Sequence, residues 1–203
     1  MSKVTVSLSA SVVKALELFA AKNDIRYYLN GLLVELCGED AFLVATDGHR
    51  IAAFRATSDV NVDERKTAIV PRELLARIVS GRSAHPVLIA VEDDDTVSVT
   101  QGQITTSSKA IPGLFPNWRK VIPASTTGIA AQINPKYVAD IGKATRLVTG
   151  ANGLPNIRYN GEGPALVDIG EPNFVAVIMP YRETTEKSYA PPKWAIEAAE
   201  SLV

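Results

Sequence analysis

The sequence holds little of the chemistry that catalytic and metal-binding sites usually need. A single cysteine, Cys37, excludes an internal disulfide bond and a metal site built from several thiolates. There are only two histidines, and the chain carries no P-loop, no G-x-S-x-G, no H-E-x-x-H and no dinucleotide-binding fingerprint. These absences argue against an enzyme, and we expect neither a cofactor nor a bound metal.

Long apolar runs are also missing. No stretch approaches the roughly 18 apolar residues of a transmembrane helix, and the N-terminal MSKVTVSLSA alternates like a strand without the apolar core of a signal peptide. With 203 residues, 46% of them hydrophobic and 21% charged, the chain has the composition of one large or two small globular domains. We expect a soluble, cytoplasmic protein with no membrane partner.

The segment ATDGHR at 45–50 is the one place that suggests catalysis. Asp47 beside His49 could form a general base or a metal site, because histidine titrates near neutrality. Only His85 could join them, and it precedes Pro86 in a predicted surface loop. The flanking apolar segments favour a hairpin turn instead, in which Gly48 takes a positive φ at little cost.

Short strand signals fall into three series, and each series contains one helix. We predict strands at 4–8, 31–37, 41–46 and 50–56, then at 67–70, 87–92, 96–101 and 103–109, and finally at 128–133, 156–159, 165–170 and 174–179. Turn formers separate the later strands of each series, including GED at 38–40 and TDG at 46–48. Each series therefore predicts one strand, one helix and three further strands.

The helix signals repeat at a constant spacing. We predict helices at 9–22, 71–83 and 135–146, beginning at Ser9 or Ser11, at Pro71, and at Asn134-Pro135. The residues that precede them, Leu8, Val70 and Ile133, are 62 and 63 positions apart, which indicates an internal repeat. The predicted fold class is α+β, with three β-α-β-β-β units whose helices cover one face of antiparallel sheets.

Charge is distributed unevenly along a chain of net charge −1. The three predicted helices hold eight basic and three acidic residues, a net charge of +5, which leaves 13 basic and 19 acidic residues elsewhere. By the helical period, Lys14 lies opposite the Val12/Leu16 stripe and Arg77 lies opposite Leu75. These cations either are ordinary solvated helix faces or form one basic surface that faces phosphates.

Six segments resemble a known family in order and spacing. DIRYYLNGLLVE (24–35), VATDGHRIA (44–52), AIVPRELLARIV (68–79) and TSSKAIPGLFPNWRKVIP (106–123) resemble the middle domain of the bacterial sliding clamp, the β subunit of DNA polymerase III. AQINPKYVADIGKA (131–144) and FVAVIMPYR (174–182) resemble the second half of its last domain. The resemblance implies a DNA-clamp fold and a ring that encircles duplex DNA.

The resemblance also implies a domain plan. Residues 1–123 would form a complete clamp domain of two units, about 3–60 and 66–123, and residues 124–182 a half domain of one unit. Residues 183–203 would form a C-terminal extension, with Trp194, Ala198 and Leu202 at helical spacing, that could lie across the partner pocket. Clamps of the family build a ring from twelve units, so a chain of three units predicts a homo-oligomer, a tetrameric ring in which two half domains pair.

Two sets of site residues follow from the resemblance. Contacts to DNA, independent of its sequence, are expected from Lys14, Lys22, Asn23, Tyr27, Tyr28, Arg72, Arg77, Arg82, Lys136, Lys143 and Arg146. For Tyr27 and Tyr28, the alternative is an aromatic pair buried on a strand. A pocket for peptide motifs of DNA polymerase and the clamp loader is expected from Leu29, Thr46, Gly48, His49, Arg50, Ile51, Pro116, Val121, Asn134, Tyr137, Met179, Pro180, Tyr181 and Arg182.

The expected function is a sliding-clamp-like processivity factor. The alternative is a decoy or adaptor that binds polymerase, clamp-loader or clamp partners without encircling DNA. Assembly into a closed ring distinguishes the two.

Overall fold

A computed structural model describes residues 3–79, 81, 84–150, 154–181 and 191–192. Within these ranges the chain is α+β, as predicted, with three α-helices and nine strands. The helices are α1 (Ala10–Glu17), α2 (Arg72–Leu75) and α3 (Pro135–Thr149). The strands are β1 (Lys3–Leu8), β2 (Gly31–Thr46), β3 (Arg50–Pro71), β4 (Val87–Glu92), β5 (Thr96–Gln101), β6 (Ile104–Lys109), β7 (Asn156–Arg158), β8 (Ala165–Asp168) and β9 (Phe174–Ile178).

All strand pairs are antiparallel, and the long strand β3 belongs to both halves of the sheet. The strand order is β6-β5-β4-β1-β3-β9-β8-β7, and β2 pairs with β3 off this path. The strand β9 of the third unit pairs with the start of β3, from Arg50↔Ile178 to Phe54↔Phe174. The third unit is therefore joined to the first by a shared sheet.

The predicted turn at 38–40 is wrong. Residues 31–46 form one strand, and β2 and β3 form a long hairpin that turns only between Thr46 and Arg50. Gly38 has φ 62°, and the register shifts on both sides of it, so the segment is a bulge in a continuous strand. The predicted strands at 50–56 and 67–70 likewise belong to the single strand β3.

The predicted strand at 128–133 is also wrong, because this segment belongs to no strand. It is held at isolated points instead. Gly128 N–H donates to the Tyr159 carbonyl, Gly161 N–H donates to the Ile129 carbonyl, and Tyr181 N–H donates to the Gln132 carbonyl. No strand of the described chain lies beside this segment along its length.

The helices begin where their capping residues predict and end elsewhere. Ser9 accepts a hydrogen bond from Val12 N–H, and Asn134 accepts one from Lys136 N–H. Helix α1 stops at Glu17 rather than at residue 22. Helix α3 continues beyond residue 146 to Thr149, and Gly150 is its C-cap. Helix α2 has only four residues.

Distant side chains explain the early ends of two helices. Arg72 donates to the carbonyls of Glu17 and Ala20, which caps the C-terminal end of α1. After α2, the side chain of Gln101 binds both the N–H and the carbonyl of Val79, so this backbone cannot continue a helix. The predicted helix at 71–83 is therefore wrong for residues 76–79, and residues 80, 82 and 83 lie outside the described residues.

Buried apolar side chains form one cluster on each side of the sheet. The larger cluster lies under the helices and includes Val13, Leu16, Leu75 and Ile141. The smaller one, called here the outer cluster, lies under the 111–122 segment and contains Leu33, Val44, Ile51, Ala53, Ile69, Phe115, Trp118 and Val177. The strands on either side of the turn at 46–50 contribute to both clusters: Ala45 and Ala52 belong to the larger cluster, and Val44 and Ile51 belong to the outer cluster.

Candidate nucleic-acid and partner interfaces

The turn at 46–50 is fixed by its own side chains. The Asp47 carboxylate accepts hydrogen bonds from the N–H groups of His49 and Arg50 at 3.0 and 3.1 Å. Thr46 Oγ1 accepts from Gly48 N–H and donates to the Arg50 carbonyl. Since Asp47 binds the backbone of His49 and not its ring, the pair does not have the geometry of a catalytic dyad.

The backbone conformation of the turn favours glycine at position 48. Its φ is 88°, a left-handed conformation that favours glycine. A Cβ there would lie 2.8 Å from Arg26 Nη1, because the Arg26 guanidinium packs over the turn and donates to the Asp47 carbonyl. The turn leaves His49 exposed and holds Arg50 pointing inward.

Arg50 is a buried cation that joins three parts of the chain. Its side chain is 6% exposed. Nε donates to Asp47 at 3.0 Å, Nη1 donates to Asp140 of α3 at 3.0 Å, and Nη2 donates to the Leu18 carbonyl after α1 at 2.7 Å. The guanidinium also lies 4.5 Å from the centre of the Tyr137 ring. Arg50 therefore fixes the third unit against the first.

Asp140 is the acidic partner shared by two cations. Burial raises its pKa, but hydrogen bonds from Lys143 and Arg50 outweigh burial and leave the pKa below its ordinary value of 3.8. Burial and the nearby Asp47 carboxylate raise the pKa of Tyr137 above 10.0. At neutral pH the junction therefore contains an ionised Asp140, a cationic Arg50 and a neutral tyrosine.

An apolar surface borders the turn on the other side of the sheet. Ile51 pairs with Val177, and both belong to the outer cluster. Met179 follows two positions later, is 39% exposed, and donates its N–H to the His49 carbonyl at 2.8 Å. Val121, which is 40% exposed, belongs to the 111–122 segment that covers this cluster.

A second buried ion pair anchors that segment. Glu35, with a 3% exposed side chain, accepts hydrogen bonds from Trp118 Nε1, Arg119 and Arg65 at 3.1, 2.7 and 3.0 Å. Burial raises the pKa of Glu35, but these donors outweigh burial and hold it below 4.5. A groove of about 490 Å³ runs beside the pair, between the start of β2 and the loop at 110–118.

Helix α3 carries three exposed cations on its outer face. Lys136, Lys143 and Arg146 are exposed, while Asp140, Ile141, Ala144 and Thr145 face inward. Lys22 and Arg77 are exposed near α1 and α2. Within the described ranges, no group of three or more His, Cys, Asp or Glu side chains could hold a metal ion, and no helix there has the length and apolar character of a membrane span.

Comparison with known proteins decides the family. A family model described as "DNA polymerase III beta subunit, central domain" matches residues 3–117, more than half of the chain. The chain belongs to the DNA polymerase III beta subunit family. The predicted resemblance and the predicted α+β fold class are thereby confirmed.

Relatives of the family match the chain over part of their own length. The "Beta sliding clamp" of Pseudomonas aeruginosa is 35% identical over 106 residues, which are 51% of this chain and 28% of that protein. The "Beta sliding clamp" of Vibrio cholerae is 34% identical over 132 residues, which are 62% of this chain and 36% of that protein. The alignment thus spans about a third of the curated relatives. A crystal structure of the DNA polymerase III subunit beta from P. aeruginosa shares the fold, with a TM-score of 0.68 and 22% identity over 88% of this chain and 66% of that one.

The predicted DNA contacts of this beta-family chain fall into three groups. Lys22, Asn23, Tyr27, Arg77, Lys136, Lys143 and Arg146 are exposed. Lys14 and Arg72 are instead bonded internally, because Lys14 Nζ donates to the Leu75 carbonyl at 3.0 Å and Arg72 caps α1. Tyr28 is half-buried and packs edge-on against Tyr27 in a 3-10 helix, not on a strand. Arg82 lies outside the described residues.

The predicted pocket residues occur on both sides of one junction. Met179, Tyr181, Val121, Pro116, Gly48 and His49 are exposed, with Pro180 half-buried. Ile51, Leu29 and Thr46 are buried, and Arg50 points away from Ile51 towards the helices. Asn134 is occupied as the cap of α3, and Tyr137 lies under Arg50. Arg182 and residues 183–203, except for Pro191 and Pro192, lie outside the described residues.

The sequence analysis did not identify two residues that support the candidate sites. Val177 pairs with Ile51 and belongs to the outer cluster, and its signal was the alternation in FVAVI. Glu35 anchors the 111–122 segment, and its signal was a lone charge inside the apolar run GLLVELC.

Proposed function

We propose that this chain is a sliding-clamp-like processivity factor that encircles duplex DNA without reading its sequence and docks short peptide motifs of replication or repair proteins. The observation that carries the proposal is the family match over residues 3–117. Two features of the structure support it: the exposed cations of α3, and the apolar surface beside the turn at 46–50. No step of this function requires catalysis or a cofactor.

The proposed contact with DNA is electrostatic. Lys136, Lys143 and Arg146 stand on one exposed face of a helix, and among the described residues only Lys143 has a partner, Asp140 at 3.1 Å. Lysine and arginine near phosphates release counterions, which attracts the duplex without fixing a register along it. A clamp that slides needs contacts of this kind.

The proposed peptide site is the surface formed by Met179, Val121, Pro116 and the exposed edge of the turn, with Ile51 and Val177 beneath it. Apolar walls of this kind accept leucine and aromatic anchors, and His49 supplies a polar group at the rim. The partners proposed for it are peptide motifs of a DNA polymerase and a clamp loader.

The proposed assembly is a homo-oligomeric ring of four chains. Strand β6 ends the sheet and pairs only with β5 in the described part of the chain. β6 is the last strand of the second unit. The last strands of the other two units are the start of β3 in the first and β9 in the third, and these two pair with each other. A β6 edge paired with a second β6, together with a second two-fold contact, closes a symmetric ring.

The salt dependence of DNA binding tests the electrostatic contact. Replacing Lys136, Lys143 and Arg146 by alanine should reduce the slope of log K against log salt by up to about 2.7, since each phosphate contact contributes about 0.9. The matched control removes three exposed cations away from the helices, Arg55, Lys109 and Lys120. Equal slopes for both variants would refute a helix-borne contact, and electron micrographs without a central opening would refute encirclement.

The decoy or adaptor is a second candidate, favoured by the internal use of Lys14 and Arg72. It predicts that a labelled peptide with leucine and aromatic anchors binds while no ring forms. The substitution Met179→Lys should weaken this peptide at least tenfold under either function, whereas Val60→Lys, at a comparably exposed position on β3, should not.

A further inference from the structure

The two units of residues 1–123 complete each other by exchanging strand contacts. The first strand of the first unit, β1, pairs with the second strand of the other, β4, from Lys3↔Glu92 to Leu8↔Val87. In return, residues 67–71 at the end of β3 pair with residues 31–35 of β2. Each unit thus supplies one partner for the other across a local two-fold relation.

The third unit has the same two elements, but in the described part of the chain no second unit lies beside them, and the 128–133 segment is bonded only at Gly128, Ile129 and Gln132. Its first-strand segment, 128–133, belongs to no strand, and its second strand, β7, ends the sheet. Within the described part of the chain, the backbone groups of Ala130 and Ala131 make no hydrogen bond to any other residue. Ile129 in this segment is 63% exposed.

Equivalent positions of the three units differ in how much of the side chain is exposed. Counting from Leu8, Val70 and Ile133, the fifth residue onward is Val13 in the first unit, Leu75 in the second and Val138 in the third. Val13 and Leu75 are both 0% exposed in the shared core under the helices, whereas Val138 is 38% exposed. A position that is fully buried in both paired units is open in the unpaired one.

We propose that the third units of two copies of this chain pair across a two-fold axis, with residues 128–133 of each copy forming a strand against β7 of the other. The occupant is a second copy, because residues 1–123 show that one such unit is complementary to another, and a two-fold axis satisfies both open edges at once. The pairing covers Val138 and Ile129 and supplies backbone partners for Ala130 and Ala131. It deepens the proposed ring, since it is the second of the ring's two contacts.

The substitution Val138→Glu tests this contact. Glutamate near the N-terminal end of α3 is favourable for the helix itself, so the fold should survive. The matched control is Leu88→Glu, because Leu88 on β4 is also 38% exposed. Light scattering on the full chain should show an oligomer whose mass is halved by Val138→Glu and unchanged by Leu88→Glu. A monomeric parent, or an equal effect of both variants, would overturn the proposal.

Hydrogen exchange gives a readout that does not depend on how the variant folds. In the parent, the amides of 129–133 should become protected as protein concentration rises and the oligomer forms, and they should exchange fast in dilute solution. Fast exchange in the oligomer would overturn the strand pairing. Neither measurement involves DNA. If the oligomer forms but does not bind DNA, the proposed clamp function is refuted and the proposed pairing is not.

Discussion

Replacing Arg50 by alanine should destabilise the fold by about 3 kcal/mol. The change removes three hydrogen bonds from a side chain that is 6% exposed and leaves Asp140, which is 12% exposed, without its buried partner. Truncating one partner of a buried ion pair typically costs about 3–5 kcal/mol. Lys143 still bonds Asp140 in the variant, which places the expected cost at the lower end of that range.

Urea unfolding followed by far-ultraviolet circular dichroism measures this cost. For a chain of this size, about 3 kcal/mol corresponds to a fall in Tm of about 6–12 °C. Arg55→Ala is the control, because the Arg55–Asp40 pair has the same chemistry at 2.9 Å but 61% and 35% exposed side chains. An exposed pair contributes at most about 1 kcal/mol.

The measured costs of Arg50→Ala and Arg55→Ala can refute this reasoning. If Arg50→Ala costs no more than Arg55→Ala, Arg50 does not hold the third unit against the first. A double-mutant cycle with Asp140→Ala separates the contribution of the pair from the other two hydrogen bonds. Peptide binding at the turn should weaken together with stability, since the same side chain fixes the turn.

The remaining predictions concern the pH dependence of stability and three substitutions. Because the folded-state pKa values of Glu35 and Asp140 lie below their ordinary 4.5 and 3.8, their stabilisation should be complete above about pH 4.5 and be lost as pH falls through the lowered values. Glu35→Gln should cost about 1.5–3 kcal/mol at neutral pH and flatten this acid dependence in unfolding curves; an unchanged dependence would contradict the assignment. Gly48→Ala should cost about 1–2 kcal/mol because φ is 88°, while the Arg26 guanidinium near the new Cβ can move aside. Gly142→Ala, in the middle of α3 with no atom within 4 Å of the added Cβ, should instead stabilise by about 0.5–1 kcal/mol, and the same sign for both would refute the turn geometry.

Local signals predicted the starts of the elements and not their ends. Ser9 and Asn134 cap helices through bonds within three residues, so the sequence alone locates those starts. The end of α1 depends on Arg72, more than 50 residues away, and the chain after α2 depends on Gln101. Such bonds require the tertiary structure, which periodicity does not contain.

The same distinction applies to the candidate site. Helical period places Lys14 on the outer face of α1, but the neighbouring α2 offers the Leu75 carbonyl there, and the ammonium binds it. The motif ATDGHR predicted a turn and a partner contact. Its arginine proved to be buried because Leu18 and Asp140, 32 and 90 positions away, both present acceptors at that point.

Asp140 binds one cation that is held in the interior and one that can exchange with solvent. Arg50 and Lys143 both bond its carboxylate, but the Arg50 side chain is 6% exposed and has two further acceptors, whereas the Lys143 side chain is 64% exposed. A phosphate that approaches α3 can draw Lys143 away, since the Lys143 ammonium is in contact with solvent and has Asp140 as its one acceptor among the described residues. It cannot draw Arg50, because leaving the interior would break all three of its bonds. In the proposed sliding, the junction between the units therefore stays closed while the cations of α3 move from one phosphate to the next.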